Sequence, residues 1–188
     1  GFCNVVTGRP FLVDTNEPKN IAASVKLMEI KHVVITSVDR DDLSDGGASI
    51  WVDTINEIRK TNPKTTIETL IPDFKGKWED INKIIHVKHE IVSHNMETIR
   101  RLTKKVRIQA KYDRSLQTLR YLHEGGITTK SGIMLGLGET EVEVIETIND
   151  IKAAGASIVT IGQYLQPTIN HLAVSEYISP EQFDKYKQ

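Results

Sequence analysis

Apolar residues along the chain follow two spacings, one typical of buried strands and one typical of helices. Between the apolar runs, hydrophobic side chains recur every three to four positions and predict helices. Asn16 followed by Pro18 marks one helix start, and the capping-box pair Thr140 and Glu143 marks another. Runs rich in β-branched residues predict five strands, at residues 33–38, 65–71, 90–94, 128–135 and 158–161. This alternation favours an α/β fold with a parallel sheet.

Several local signals refine this picture. Residues 96–106 are predicted to form a helix with a basic face, and Ser179 with Gln182 predicts a second capping box. Gly8-Arg9-Pro10 predicts a loop. We interpret residues 1–188 as a single domain, either an open doubly wound sheet or part of a barrel. A complete eight-unit barrel usually needs about 250 residues, so only part of one could be present.

The composition narrows the classes of partner. The 188 residues carry a net charge of −1, which gives no electrostatic footprint for nucleic acid or an anionic membrane surface, so we expect neither as a partner. No apolar run approaches the ~20 residues that a membrane-spanning helix needs. The single cysteine excludes an internal disulfide and suits a reducing, intracellular setting.

Polar side chains follow every predicted strand at its carboxyl end. In parallel α/β folds, ligands bind at this edge because loops and helix N-termini converge there. The first strand runs into an unusually charged loop that holds Arg40 and four carboxylates. We therefore predict a ligand site at this edge, with these candidates in chain order: Ser37, Asp39, Asp73, His94, Asn95, Glu97, Glu139, Gln163 and Gln166.

Two charged residues lie within predicted strands rather than at their ends. Alternation in the second strand places Glu68 on the face opposite Ile67 and Ile71, so its carboxylate points inward if the aliphatic face packs on helices. A buried carboxylate needs a partner or a raised pKa. Lys130, early in the fourth strand, could be that partner, or either residue could serve a ligand.

Local motifs leave phosphate binding and thiol chemistry open and argue against calcium and zinc sites. Gly136 and Gly138 hint at a phosphate-binding turn, but a tight strand-to-helix connection explains them equally well. The acidic loop fails the calcium-loop spacing, because Val52 stands where a bidentate glutamate should be. No histidine pair at metal-binding spacing has a third ligand nearby, so a zinc site is not expected. Cys3 could be an ordinary thiol, a nucleophile, or one ligand of an iron–sulfur cluster, which needs three or four thiolates.

Longer motifs make the chain resemble the lipoyl synthases, which are radical S-adenosylmethionine (SAM) enzymes. Phe2-Cys3 with the residues up to Pro10 matches the end of the family's cysteine motif C-x-x-x-C-x-x-C and its continuation. The resemblance spans essentially the whole chain. The other matching stretches are residues 34–43, 45–48, 67–74, 94–98, 130–140, 162–167 and 171–181.

The resemblance implies a partial (β/α)6 barrel of the radical SAM type, similar to a TIM barrel, whose first strand precedes residue 1. It implies that Cys3 is a catalytic ligand of the 4Fe–4S cluster that binds SAM, and that Phe2 adjoins this cofactor. A second, auxiliary 4Fe–4S cluster would donate two sulfur atoms to C6 and C8 of a protein-bound octanoyl group.

The resemblance also assigns roles to individual residues. The SAM contacts it implies are Ser37 and Asp39 for the amino group, Asn95 and Glu97 for the ribose, Lys130 for the carboxylate, and Glu139, Gln163 and Gln166 around the adenosyl group. The residues it places towards the substrate are Arg40, Asp41 and Asp73. The implied partners are an octanoylated lipoyl carrier domain or the glycine-cleavage H protein, and a reductant such as ferredoxin or flavodoxin. The implied compartment is the cytoplasm, or the mitochondrion in a eukaryote.

The chain departs from the family pattern mainly at its two ends. The first two cysteines of the cluster motif, the cysteines of the auxiliary cluster and a C-terminal Arg-Ser-Ser-Tyr are not in the sequence, and Ile108 replaces a usual proline. We therefore expect the core of a lipoyl synthase that lacks both ends and is inactive alone. The alternatives are another radical SAM enzyme, such as a biotin-synthase-like sulfurtransferase, and a cluster-free nucleotide-binding module.

Overall fold

The computed structural model describes residues 2–5, 8 and 10–187. Of the predicted loop and cysteine motif near the start, Val6, Thr7 and Arg9 lie outside the described residues. The strands are β1 His32–Thr36, β2 Thr66–Leu70, β3 Ile91–Ser93, β4 Thr128–Leu135 and β5 Ile158–Gln163. The helices are α1 Glu17–Leu27, α2 Ala48–Thr61, α3 Trp78–Val87, α4 Thr103–Val106, α5 Tyr112–Glu124, α6 Glu141–Ala153 and α7 Pro180–Tyr186.

The five strands form one parallel sheet in the order β1-β2-β3-β4-β5, curled into a half-barrel. Each strand is hydrogen-bonded to the strand that follows it in sequence, which is the arrangement of a barrel rather than of a doubly wound sheet. The predicted partial barrel is confirmed. All carboxyl ends therefore point to the same edge, which we call the carboxyl rim.

One face of the sheet packs on helices and the other lines the concave side of the half-barrel. Ile67, Val92, Ile133 and Leu135 point outward into cores shared with the helices and are at most 3% exposed. Their sequence neighbours point into the concave side, where cross-strand pairing aligns Leu70, Ser93 and Lys130 in one row. Polar side chains on the concave face are thus brought together by strand register.

The predicted helix at residues 96–106 is wrong in its first half. Glu97 has a positive φ of 62° and forms an isolated bridge with Ile133. Its backbone N–H donates to Gly132 O at 2.9 Å, and its carbonyl accepts from Met134 N at 2.9 Å. These bonds extend the pairing of β4 and hold Met96 buried, so tertiary hydrogen bonds override the local helical pattern. Only a 3-10 turn at Arg100–Leu102 and α4 are helical.

The two predicted capping boxes differ in outcome. Thr140 and Glu143 form the complete reciprocal box at the start of α6. Ser179 accepts a hydrogen bond from the backbone N–H of Gln182, at 3.3 Å, as predicted. Among the described residues, however, the backbone N–H of Ser179 does not donate to the side-chain oxygen of Gln182, so this cap is one-sided.

Candidate functional site at the carboxyl rim

The structure places the predicted rim residues where the strand order requires. Ser37 and Asp39 follow β1, Asp73 follows β2, and Asn95 and Glu97 follow β3. Of the other candidates, Glu139 follows β4, Gln163 ends β5 and Gln166 follows β5. Because the strands are parallel and adjacent, these side chains share one edge of the half-barrel.

The charges of the acidic loop after β1 are mostly satisfied within the protein. Arg40 donates two 2.8 Å hydrogen bonds to the carboxylate of Asp42. Asp41 pairs with Lys75 at 3.2 Å. Asp45 accepts from the backbone N–H of Gly47 at 3.0 Å and of Ser49 at 2.9 Å, and so caps α2.

Asp39 is the exception in this loop, because it forms no ion pair among the described residues. Partial desolvation raises its pKa, and the nearby carboxylates of Asp41 and Asp73 raise it further. A carboxylate that lacks its own cation at a ligand-binding edge is available to bind a cationic group of a ligand.

Arg107 is a site residue that sequence reasoning missed. It is partly buried, and burial lowers the pKa of its guanidinium, while the nearby carboxylates of Glu97, Asp73 and Asp39 oppose this shift. Its Nη1 donates to Met96 O at 3.0 Å. One arginine thus counters the carboxylates that follow three different strands.

A buried hydrogen-bond chain fixes this arginine to the sheet. Arg107 Nη1 donates to Ser115 Oγ at 3.1 Å, and Ser115 Oγ lies 2.9 Å from His94 Nε2. His94 Nδ1 lies 2.9 Å from Ile71 O, which can only accept, so Nδ1 carries the proton and Nε2 accepts from the serine hydroxyl. The predicted candidate His94 is therefore a neutral structural link, and it is 3% exposed.

The buried histidines are expected to make stability depend on pH. Burial lowers the pKa of His94 to about 4, helped by Arg107, and burial also lowers that of His89 to about 4. Because the unfolded chain binds these protons near pH 6.5, stability falls as pH drops from about 6.5 towards 4. Each histidine contributes about 1–2 kcal/mol of this loss between pH 7 and pH 5.

Urea unfolding at several pH values checks this expectation. The His94→Gln variant should show a weaker pH dependence than the wild type over that range, whereas His86→Gln, which changes an exposed histidine, should not. An unchanged slope in His94→Gln would contradict the assignment.

Arg107 is expected to be important for stability as well as for the site. Arg107→Met removes the cation shared by Asp39, Asp73 and Glu97, and should cost about 2–4 kcal/mol of unfolding free energy at pH 8. The loss should shrink at pH 5.5, because burial raises the pKa of Asp39 and of Glu97 and these two carboxylates then begin to take up protons. Arg120→Met, at an exposed position on α5, is the matched control and should cost less than about 0.5 kcal/mol. Equal losses in the two variants would refute this role.

On the concave face, Glu68 and Lys130 form the pair that the sequence suggested. Glu68 is 4% exposed, and Lys130 Nζ lies 2.9 Å from its Oε1. Ser93 donates to the same oxygen at 2.8 Å. Burial alone would raise the pKa of Glu68, but the hydrogen bonds from Lys130 and Ser93 outweigh it and lower that pKa. Lys130 is thus a tethered cation on the inside of the half-barrel.

Asn95 and Glu97 meet the concave face above this pair. A Cβ atom at Gly132 would lie 3.0 Å from Asn95 Oδ1 and 2.8 Å from Thr160 Oγ1, so the absence of a side chain at Gly132 lets the Asn95 amide lie on the sheet. Desolvation raises the pKa of Glu97, and a hydrogen bond from Asn95 opposes this shift. The two side chains together offer a donor and acceptors suited to a polyhydroxylated ligand.

The candidates at the ends of β4 and β5 are engaged with backbone groups. Glu139 accepts from the backbone N–H groups of Gly136 and Leu137. Gln163 Nε2 donates to Glu176 O at 3.1 Å, and its Oε1 accepts from the backbone N–H of Ile178 at 2.9 Å. These side chains hold the loops after the two strands in place, and their contact with a cofactor stays a prediction.

Gln166 has a similar role near the start of the chain. Its Nε2 donates to His171 O at 3.0 Å. His171 Nε2 in turn donates to Cys3 O at 3.1 Å, which ties the cysteine to the segment after β5. Phe2 packs against the core beneath β4 and β5.

Cys3 itself is exposed, as a cluster ligand at the mouth of a site would be. The sequence holds one cysteine, however, and a 4Fe–4S cluster needs three or four thiolates. Among the described residues, no group of three or more Cys, His, Asp or Glu side chains could hold a metal ion. The residues present could therefore supply one thiolate ligand of such a cluster and cannot hold it alone.

Comparison with known proteins agrees with this architecture. The family model of the radical SAM superfamily matches residues 1–151. Among solved structures, methylornithine synthase superposes with a TM-score of 0.70 over 94% of this chain and 52% of its own, at 13% identity. Streptococcus suis SuiB bound to S-adenosylmethionine gives 0.69 over 99% and 43%, at 14% identity. These two likenesses concern the fold. Within the described residues, no helix is long and apolar enough to cross a membrane.

Curated sequences give much higher identity and confirm the resemblance to lipoyl synthases. "Lipoyl synthase" of Flavobacterium johnsoniae is 63% identical over all of this chain and 66% of its own length. "Lipoyl synthase, mitochondrial" of Nematostella vectensis is 62% identical over all of this chain and 65% of its own length. The chain thus spans just under two thirds of these relatives. From the family match, the fold and these identities together, the chain belongs to the radical SAM superfamily.

Proposed function

We propose that the protein containing this chain is a lipoyl synthase, a radical SAM sulfurtransferase that inserts two sulfur atoms at C6 and C8 of a protein-bound octanoyl group. One observation carries this proposal: relatives named lipoyl synthase are 54–63% identical over 99–100% of the chain. The whole proposed site, from Cys3 to Gln166, lies within that aligned length. Activity belongs to the longer protein, because this chain supplies one thiolate.

Cys3 would be one ligand of the 4Fe–4S cluster that binds SAM, with Phe2 packed behind it. When bound, the cluster supplies the electron that cleaves SAM to a hydrogen-abstracting 5′-deoxyadenosyl radical, and an auxiliary 4Fe–4S cluster supplies the sulfur atoms. The residues of this chain bind and orient these partners. The tie from His171 to the Cys3 backbone supports a fixed thiolate at the carboxyl rim.

The proposed SAM contacts agree with the chemistry of each side chain. Ser37 and the unpaired Asp39 suit the cationic amino group, and Lys130, held on the concave face by Glu68, suits the carboxylate. Asn95 and Glu97 suit the two ribose hydroxyls. The adenosyl group would lie near the ends of β4 and β5, against the loops that Glu139, Gln163 and Gln166 hold.

The substrate would approach from the same rim. We assign Arg40, Asp41 and Asp73 to the side that faces the carrier, either an octanoylated lipoyl domain or the glycine-cleavage H protein. The electron donor would be a ferredoxin or flavodoxin. We place the enzyme in the cytoplasm, or in the mitochondrion if its source is a eukaryote.

Formation of 5′-deoxyadenosine tests the proposal. The full-length protein, reconstituted anaerobically with iron and sulfide, should cleave SAM much faster when an octanoyl-lysyl peptide is present than with an unmodified peptide. Cleavage that dethiobiotin stimulates and the octanoyl peptide does not would favour a biotin-synthase-like enzyme. Calorimetric SAM binding by iron-free protein, with no cleavage after reconstitution, would favour a cluster-free binding module.

A further inference from the structure

The segment between β3 and α5 contains cations that no carboxylate among the described residues neutralises. Residues 100–111 hold six Lys and Arg residues and no Asp or Glu. The three arginines are engaged, since Arg100 pairs with an aspartate, Arg101 with a glutamate, and Arg107 points into the site. The three lysines of this loop are exposed and form no ion pair with any described residue: Lys104, Lys105 and Lys111.

These lysines lie at the carboxyl rim, beside the candidate site. Arg101 anchors the loop there, because its Nη2 donates to Gly138 O at 2.8 Å just after β4. Lys105 also lines a cavity of about 130 Å³ together with Leu137 after β4 and Leu172 after β5. The free charges therefore lie at the same end of the half-barrel as the candidate site.

An apolar side chain lies among the lysines in sequence. Ile108, between Lys105 and Lys111, is 77% exposed. An exposed aliphatic side chain flanked in sequence by charged ones is suited to a protein–protein contact, which has an apolar centre and a polar rim. The chain as a whole carries a net charge of −1, so the positive charge is concentrated in this segment and is not a property of the whole surface.

We propose that Lys104, Lys105, Ile108 and Lys111, here called the lysine patch, dock an acidic surface of the folded carrier domain that presents the octanoyl group. This inference rests on the proposed function and names the surface that its protein substrate uses. A protein partner fits better than nucleic acid, because the patch has only three free cations and no aromatic ring on which bases could stack. Opposite charges would steer the carrier so that its acyl-lysine meets the rim.

Charge reversal in the full-length enzyme tests the patch against a matched control. The test variant is K104E/K105E/K111E. The control is K31E/K64E/K88E, which reverses three exposed lysines just before β1, β2 and β3, at the opposite end of the sheet. Each enzyme is assayed with the octanoylated carrier domain and with a short, uncharged octanoyl-lysyl peptide that has no domain to dock.

The patch variant should lose about tenfold or more in kcat/KM for the carrier domain, and the wild-type rate should fall with added salt. The patch variant should turn over the peptide at close to the wild-type rate. The control variant should keep near-wild-type activity on both the peptide and the carrier domain. Equal activity of patch and control variants on the carrier domain would overturn the inference. So would wild-type binding to single-stranded RNA that is tighter than binding to the carrier domain and is lost in the patch variant.

The same assays distinguish an error in the docking inference from an error in the proposed function. If the proposed function were wrong, wild-type enzyme would not modify even the peptide. The docking inference would then be judged by direct binding of the carrier domain, measured by interferometry. Weaker binding by the patch variant than by the control would support it, and equal binding would refute it.

Discussion

The Cys3→Ser variant of the full-length protein is expected to form no detectable 5′-deoxyadenosine from SAM. A 4Fe–4S cluster is held by cysteine thiolates, and this chain has only one cysteine to offer. Serine keeps the size of the side chain but not the soft sulfur ligand that iron prefers. Iron analysis and electron paramagnetic resonance of the anaerobically reconstituted variant should show the loss of one cluster signal.

The neighbouring residue provides the control for this change. Asn4 is exposed beside Cys3, and Asn4→Ala leaves the thiol in place. This variant should keep its cluster and cleave SAM at close to the wild-type rate. A Cys3→Ser protein that cleaves SAM as fast as Asn4→Ala would remove Cys3 from the site.

The second large effect is expected from Lys130→Met, which should lower the free energy of unfolding by about 3–5 kcal/mol near neutral pH. The substitution removes the cation that pairs with Glu68 on the concave face. The Glu68 side chain is only 5% exposed, so water cannot take the place of that cation. The hydrogen bond from Ser93 remains, and His32 Nε2 still lies 3.6 Å from Glu68 Oε2, but neither contact replaces the hydrogen-bonded lysine ammonium. The pKa of Glu68 should rise in this variant, so the loss should shrink as the pH falls towards 5.

A double variant separates this electrostatic cost from lost packing. Lys130→Met with Glu68→Gln removes both charges and should recover most of the lost stability, as measured by urea unfolding of the full-length protein. Both proteins should bind SAM weakly, because the proposed partner of the SAM carboxylate is missing from each. If the double variant were as unstable as the single one, the buried ion pair would not be the cause.

The strand and helix pattern was largely predictable from the sequence because the two hydrophobic periods are distinct. The predicted boundaries of β4 agree with the structure, and Thr140 with Glu143 forms the expected cap. The pairing of Glu68 with Lys130 could be anticipated because strand alternation places each inside the half-barrel. Such inferences depend on local geometry, which a single sequence contains.

What the sequence could not show depends on contacts between distant segments. The residues before α4 carry a helical pattern, yet backbone bonds to β4 hold Glu97 out of a helix, with a positive φ. Arg107 lies in a run of basic residues, and the neighbouring sequence does not distinguish a buried arginine from solvent-exposed ones. Its position in the loop after a strand end was the only available signal. The backbone roles of Glu139 and Gln163 were hidden for the same reason.

The mass of an octanoyl-lysyl peptide after reaction tests the central claim most directly. The full-length protein, reconstituted anaerobically and supplied with SAM and a reductant, should convert this peptide to a product in which two sulfur atoms replace two hydrogens. Omission of SAM should leave the peptide unchanged. A peptide of unchanged mass, in a reaction that still produces 5′-deoxyadenosine, would contradict the proposal that this chain is the core of a lipoyl synthase.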